Sequence, residues 1–544
     1  MKVVDTLSNA PIEVQQSVRA REVRCLTSCR AGKIVPLYAA PLLREDRLSV
    51  GDFNITLDMA ETIHPLLNSV GVTVMAHFLS FSAFERFASV DSLNKSYLGI
   101  KDRPTDAAPV PFFQMGPFPG TPIQGMFYET MGLHSANALS VNTAYLEAYN
   151  TVVNFLYRIR SKSLPQRLMT DTTLAQAFWN HPFMWHIKPD FDAAMMDGDI
   201  DLRWLTTKAP VVGISQTNNS NPASGGASHA TTSSGIQILN TAAPGNGQLI
   251  FKRKAGNPSG TELDIYAEMQ AMGIRLTLQN IHLAEKTKSF AVLREKFKGR
   301  SDQDLVDLLM SGIRIPDEDL KEPILLAKQQ TVFGYSERHA MDGASLDKSV
   351  TTGRANVRMR VRTPPMNTGG IILITAQIVP EQMFERMQDP LLNVSTVAEL
   401  PDFLRDFLDP EKVEVVKNSF IDVHHATPNG TFGYAPLNHK WKGADTRIGG
   451  KFYRPQTYAF NEDRQRIWSV ETLNPALNSS VYLVPSDLPH TVFADTLADA
   501  FEITTLGHLQ IVGNTQFGEV FEEDSASYED VSAVADSVAP RLGG

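Results

Sequence analysis

Cysteine is nearly absent. The 544-residue chain has Cys25 and Cys29 and no others, so a disulfide framework is excluded as a source of stability. A zinc site would need two more ligands from elsewhere. Four-residue spacing would put both thiols on one face of a helix; the alternative is two chemically ordinary thiols. Long apolar runs are also missing. The longest, Ile371-Ile372-Leu373-Ile374 through Val379, contains Thr375 and Gln377 and is about half the ~20 residues a bilayer requires. The opening Met1-Lys2-Val3-Val4-Asp5 lacks the basic and apolar regions of a secretory signal. Synthesis in the cytoplasm with no membrane insertion is the expectation.

Catalytic signatures are equally scarce. There is no Gly-x-Ser-x-Gly elbow and no His-Glu-x-x-His pair. The nearest approach to a phosphate loop is Gly449-Gly450-Lys451. Phe452 stands there where a hydroxyl must hold magnesium, and Asp445 replaces the first glycine. His181, His186 and Asp190 have ligand chemistry but also suit loop packing. His424-His425 would point to opposite faces of a strand and so would not share an ion. With 60 acidic residues, chance carboxylate pairs are guaranteed. No catalytic residue, metal or cofactor is assigned, and a non-enzymatic role is expected.

What is abundant is turn chemistry: 32 prolines and 35 glycines beside a hydrophobic fraction of 42%. That combination favours a mainly β protein with a sizeable core. Lys33–Tyr38, Phe53–Met59, Val72–Leu79, Val357–Arg362, Ile371–Val379, Arg466–Val470, Ser480–Val484 and His508–Val512 are strand candidates. Helices are expected at Thr143–Arg158, through 263–313, where Ile274, Leu278, Ile281, Phe290, Leu293 and Phe297 recur at helical spacing, and at Leu400–Leu408. The layout is therefore a basic arm over 1–33, first strands over 34–90 and a long insertion over 91–262. A helical segment over 263–325, remaining strands over 326–518 and an acidic tail over 519–544 follow. The insertion holds a Ser/Gly-rich tract at 215–234 that cannot bury a core and should lie on the surface.

Net charge is −10 but uneven: the last 26 residues carry seven acids and Arg541. Basic islands lie elsewhere. Period two puts Arg358, Arg360 and Arg362 on one strand face, with Arg354 extending the row and Val357, Met359 and Val361 turned inward. A second island, Lys440-Trp441-Lys442, Arg447 and Lys451-Phe452-Tyr453-Arg454, interleaves cations with aromatics, the mixture that holds single-stranded nucleic acid. A third, Arg275–Arg300, has seven cations against two acids. Each is also compatible with a solvated face, and Trp441 with strand-end packing. With no base-reading motif, any nucleic-acid contact should be largely non-specific.

Three blocks point to a family. Pro316-Asp317-x-x-Leu320-x-x-Pro323, behind the helix Ile274–Phe297, resembles a signature of microvirus major capsid proteins, especially the gokushovirus branch. Phe432-Gly433-Tyr434 with Trp441-Lys442 and Gly449-Gly450-Lys451-Phe452 is similar to that family's Phe-Gly-Tyr block. Gly32-Lys33-Ile34-Val35-Pro36, Gly51-Asp52-Phe53 and Val74–Leu79 are similar to its opening strands. The chain departs from the pattern at Ser301-Asp302-Gln303-Asp304, where an Arg-Tyr pair is expected, and in its acidic tail. The resemblance implies an eight-stranded antiparallel jelly roll of the viral capsid type, with long helix- and loop-containing insertions. It implies a T=1 icosahedral shell of sixty copies around a circular single-stranded DNA genome of a tailless bacteriophage. The implied partners are further copies of the chain, the genome, a small DNA-binding or pilot/spike virion protein, and a host surface receptor. The insertion would form outer projections, and the basic rows an inner wall. The competing expectation is a phage carbohydrate-binding or depolymerase protein on a jelly roll, recognisable by a cleft with paired carboxylates and exposed aromatics.

Overall fold

The computed structural model describes residues 16–118, 126–134, 140–190, 321–339, 349–408, 412–442, 446–453, 462–468 and 474–515, with short strand pieces between 208 and 268. The chain divides into two compact units, Asp197–Val292 and the remainder. In the smaller unit Ala227–His229, Gln237–Asn240 and Leu249–Lys252 form a three-stranded antiparallel sheet, and Lys208–Pro210 pairs with Tyr266–Glu268.

The larger unit is mainly β. Its strands are β1 (Ser17–Cys29), β2 (Ile34–Leu42), β3 (Arg47–Thr62), β4 (Val70–Ser80), β5 (Ile324–Val332), β6 (Gly334–His339), β7 (Ser349–Val361), β8 (Gly370–Pro380), β9 (Val413–Lys417), β10 (Thr431–Pro436) and β11 (Phe501–Gly513). Two antiparallel sheets share the main core. One runs β1-β11-β3-β7-β6 and the other β5-β4-β8-β2. Phe333, buried against Phe501, is the corner at which the chain leaves the second sheet as β5 and enters the first as β6.

The sequence patterns of the two sheets differ because their surroundings differ. In β3, Phe53, Ile55, Leu57 and Met59 are buried and the residues between them reach solvent. In β7, Ala355, Val357, Met359 and Val361 do the same. One dry face and one wet face give period two. By contrast, β8 is buried at every position. One face meets the other sheet. The other is covered by α1 (Ala144–Arg160), whose Leu146, Tyr149, Val153 and Tyr157 recur at helical spacing and are buried. Phe155, Leu156 and Ile159 of the same helix line a common space with Met75 and His77 of β4 and with Gln377 and Val379 of β8. Burial on both faces removes any reason for alternation, so the strand reads as a continuous apolar run.

Tyr149 fastens this layer. Its hydroxyl donates to the Ile34 carbonyl (2.7 Å) and accepts the Ala175 N–H (2.8 Å), all three groups being buried. A smaller core gathers Phe183, Met184 and Ile187 with Phe384, Val416, Ile421, Phe432 and Val481.

Several sequence expectations are corrected. Residues 17–29 are not an arm: they pair with β11 along thirteen positions, and an ion pair from Arg19 to the fully buried Asp46 holds the strand. Cys25 and Cys29 are therefore on a strand, not a helix, and both are free thiols. The first part of the expected insertion is not outer decoration: α1 and the buried Leu174, Ala175, Ala177, Phe178 and Trp179 belong to the main core, and α1 lies over β4 and β8. Ser479–Tyr482 is a helical turn, since Asn478 accepts the Ser480 N–H and caps it, and only then does Leu483 bridge to Phe178. Glu462–Arg466 is a 3-10 turn leading to the buried Trp468; Ser469 and Val470 lie outside the described residues. The helix expected over Leu400–Leu408 occupies Phe403–Leu408. Tyr266–Glu268, expected helical, is a strand; the rest of 263–313, Arg275–Arg300 included, lies outside the described residues. So do Pro316–Leu320, Arg454, the tail beyond 515 and the tract 215–234 apart from Ala227–His229.

The covered sheet yields two expected outcomes. Tyr149→Phe leaves a buried carbonyl and a buried N–H without partners, and should lower unfolding free energy by about 1–3 kcal/mol, read as a fall in the urea midpoint at unchanged slope. His77 is buried and its pKa is lowered to about 4 by that burial. The unfolded chain then takes up the proton first, so this contribution to stability is complete above pH 6.5 and is lost as pH falls toward 4. The melting temperature should decline across that window, and His77→Gln should flatten the decline.

Candidate nucleic-acid interface

The wet face of the five-stranded sheet carries the arginine row. Alternation places Arg354, Arg358 and Arg360 of β7 outward, and Arg362 just beyond the strand is exposed as well. Register then decides what stands beside them. Arg354 lies across from Asp58, and its Nε and Nη2 donate to the two carboxylate oxygens at 2.5 and 3.1 Å. Arg360 lies across from Asp52 and donates from Nε at 2.8 Å. The row continues through His508 of β11 to Glu22 of β1. Arg358 faces Asn54, followed by Leu506 and Arg24. Glu502 stands beside Asp58.

The face is thus a ladder of alternating charge. Arg24, Arg354, Arg358 and Arg360 are matched in number by Glu22, Asp52, Asp58 and Glu502. A shallow groove of about 770 Å³ runs over it, floored by Leu506 and Gly507 and edged by Arg24, Arg358, Arg360 and Asp52. Opposite charges across neighbouring strands fix register; they also cancel most of the field a polyanion would feel at a distance. Arg358 is set opposite Asn54 and no carboxylate, and Arg362 lies one residue past the last paired position.

The second island is built on different packing. Asn438 adopts a left-handed conformation and turns the chain out of β10. His439 is then buried with its ring stacked on Phe183 (4.4 Å between centroids), and its Nε2–H donates to the Phe183 carbonyl at 2.8 Å. Glu414 accepts the Lys440 N–H at 3.3 Å, and burial raises its pKa. Trp441 is half-buried with its Nε1–H enclosed and unbonded, so its ring serves packing more than stacking. Lys442, Arg447, Lys451 and Tyr453 are exposed, and Arg447 is paired with Asp389 at 2.6 Å. This segment leans on the smaller core and the arginine row on the main one. They are two patches on separate supports.

The Phe432-Gly433-Tyr434 block has a local reason. Phe432 fills the smaller core. A side chain at position 433 would come within 2.7 Å of the Lys188 carbonyl and of Ile187. Tyr434 exchanges both backbone hydrogen bonds with Lys188 at 2.8 Å. Only glycine lets these backbones approach so closely.

Among the described residues no group of three His, Cys, Asp or Glu is placed to hold a metal ion. His181 is buried edge-on to Phe384, and burial lowers its pKa to about 4. His424 and His425 lie in a turn, where His425 Nδ1 accepts the Thr427 N–H. The chain matches no protein-family model and no curated protein.

The residues that sequence reading missed are the acids. Asp52 and Asp58 sit outward in a strand whose alternation was plain, so their face was legible. Their pairing with arginines about 300 positions away in the chain was not. Removing that compensation should expose the row. Asp52→Asn with Asp58→Asn is expected to strengthen binding of oligothymidylate and to steepen its salt dependence, by about 0.7 in log–log slope for each further phosphate neutralised. Arg358→Ala with Arg362→Ala should do the reverse. Fluorescence anisotropy titrations between about 50 and 200 mM salt, the range over which such slopes are read, check both.

Proposed function

We propose that this protein is a coat protomer: a jelly-roll building block that assembles with its own copies into the closed shell of a small single-stranded-DNA phage. The observation that carries the reading is strand order. With β5 and β6 counted as one bent strand, the eight long strands take the order first-eighth-third-sixth in one sheet and second-seventh-fourth-fifth in the other. That is the order expected when two Greek keys are wound together as a jelly roll. Jelly rolls also serve lectins and cupins, so architecture alone does not select a function. Three further features favour a coat.

The largest excursion falls between β4 and β5, and part of it is spent on a buried third layer. The groove on the wet sheet has its acids paired with arginines in place of the free carboxylates and exposed rings that a carbohydrate site needs. The blocks at 32–36, 74–79 and 432–434 that resemble microvirus capsid proteins fall on β2, β4 and β10 or at their edges. DNA contact in this reading belongs to Arg358, which faces Asn54 across the strand pair, to Arg362 beyond the strand end and to the exposed Lys442, more than to the whole arginine row. The shell would gain its stability from many modest interfaces closed by symmetry.

Negative-stain microscopy of the purified protein tests the reading. Isometric particles of uniform diameter are expected, and a monomer that cleaves glycans would overturn it. In such particles Arg358→Ala with Arg362→Ala should reduce packaged DNA without preventing assembly, measured as the fall in ultraviolet absorbance of nucleic acid relative to that of protein.

A further inference from the structure

One helix in the larger unit is inside out. Over Phe403–Leu408 the apolar residues fall at positions 403, 404, 407 and 408, which is one face of a helix. A helix packed on its own protein turns that face inward. Here Phe403, Leu404, Phe407 and Leu408 are between 63% and 80% exposed. The polar side faces the protein instead. Asp406 accepts from Asn438 Nδ2 at 2.6 Å, and Lys412 Nζ donates to the Asp406 carbonyl. The preceding turns repeat the arrangement: Leu391, Leu392 and Val397 are 66% to 83% exposed.

We propose that residues 391–408 form a self-docking surface, and that the 403–408 helix of one copy enters a groove on a second copy of this chain. The area argues for a protein partner. Two phenylalanines contribute about 150–250 Å² each. Leu404 and Leu408 share their helix face, which brings the helix alone to roughly the ~300–600 Å² of an ordinary monomer's largest, often functional, patch. The exposed Leu391, Leu392 and Val397 of the same segment add to it toward the ~800 Å² per partner of a stable interface.

The same chain supplies a receptor of matching chemistry. A groove of about 360 Å³ lies alongside, with Phe183, Val394, Val415 and Phe420 in its wall and Lys417 and Lys440 at its edge. Val415 is 56% exposed on β9, a strand paired on one side only among the described residues. The groove's carboxylates are already engaged: Glu399 by Ser395 and Thr396, Glu414 by the Lys440 N–H. It thus offers apolar wall and cationic edge to a helix that brings phenylalanines and, at its start, the exposed carboxylate of Asp402, which also accepts the Leu404 N–H. Helix and groove on one surface make it self-complementary, so two copies satisfy both halves. The proposal rests on the coat reading only in that a coat protomer needs such faces; it does not require a closed shell.

Two single variants, Phe407→Cys and Val415→Cys, are mixed in equal amounts and oxidised. A covalent dimer should appear in the mixture and not with either variant alone, because the bond joins position 407 of one copy to position 415 of another. Phe403→Asp with Phe407→Asp should sediment as monomer where the wild type does not. Its melting temperature should equal that of the wild type at protein concentrations low enough for the copies to separate, since both rings are exposed in the protomer. Cross-linked dimers without isometric particles would support the docking and count against the shell. Particles without the cross-link, a double variant that assembles like wild type, or a wild-type chain that stays monomeric while binding phospholipid vesicles would each overturn the docking.

Discussion

Burial of β8 on both faces is the constraint on which the larger unit depends. A strand with no wet side cannot be satisfied by two packed sheets alone. It needs a third layer, and the chain provides one by leaving β4, building α1 and the loops around it, and laying them back on the sheet. The excursion between β4 and β5 is therefore structural in its first part. The hydroxyl of Tyr149 ties that layer to β2 and to the Ala175 N–H, where a lost bond is costly because no water replaces it.

The opposite sheet faces water and carries its charges in pairs. Arg354 with Asp58 and Arg360 with Asp52 lock β7 to β3 in register. The same pairs lower the face's appetite for a polyanion. In the proposed coat such a surface would hold a genome weakly and release it readily. In the proposed assembly, specificity would fall to apolar contacts, and the outward-turned Phe403–Leu408 helix exposes four large apolar side chains within six residues.

Much of the fold was legible in the sequence. β3 and β7 were readable because one-sided burial stamps period two on the residues. β8 was readable as a strand because an apolar run this short suits a buried strand better than a helix or a span. The outward face of Arg358, Arg360 and Arg362 followed from the same periodicity. Ser480–Val484 was misread because a single cap, Asn478, outweighs β-branched propensity over four residues. Residues 17–29 were misread as an arm because an edge strand whose residues are mostly exposed carries little hydrophobic pattern.

By itself, then, the sequence determined the class of the protein, the faces of its exposed strands and the absence of recognisable catalytic motifs, all of which depend on neighbours a few residues away. Tertiary structure alone decided which acids neutralise which arginines, that Gly433 must admit the Lys188 backbone, and that the 403–408 helix turns its apolar side outward. Each of those is a contact between segments far apart in the chain, or the lack of one, and no local pattern encodes which distant segment will arrive.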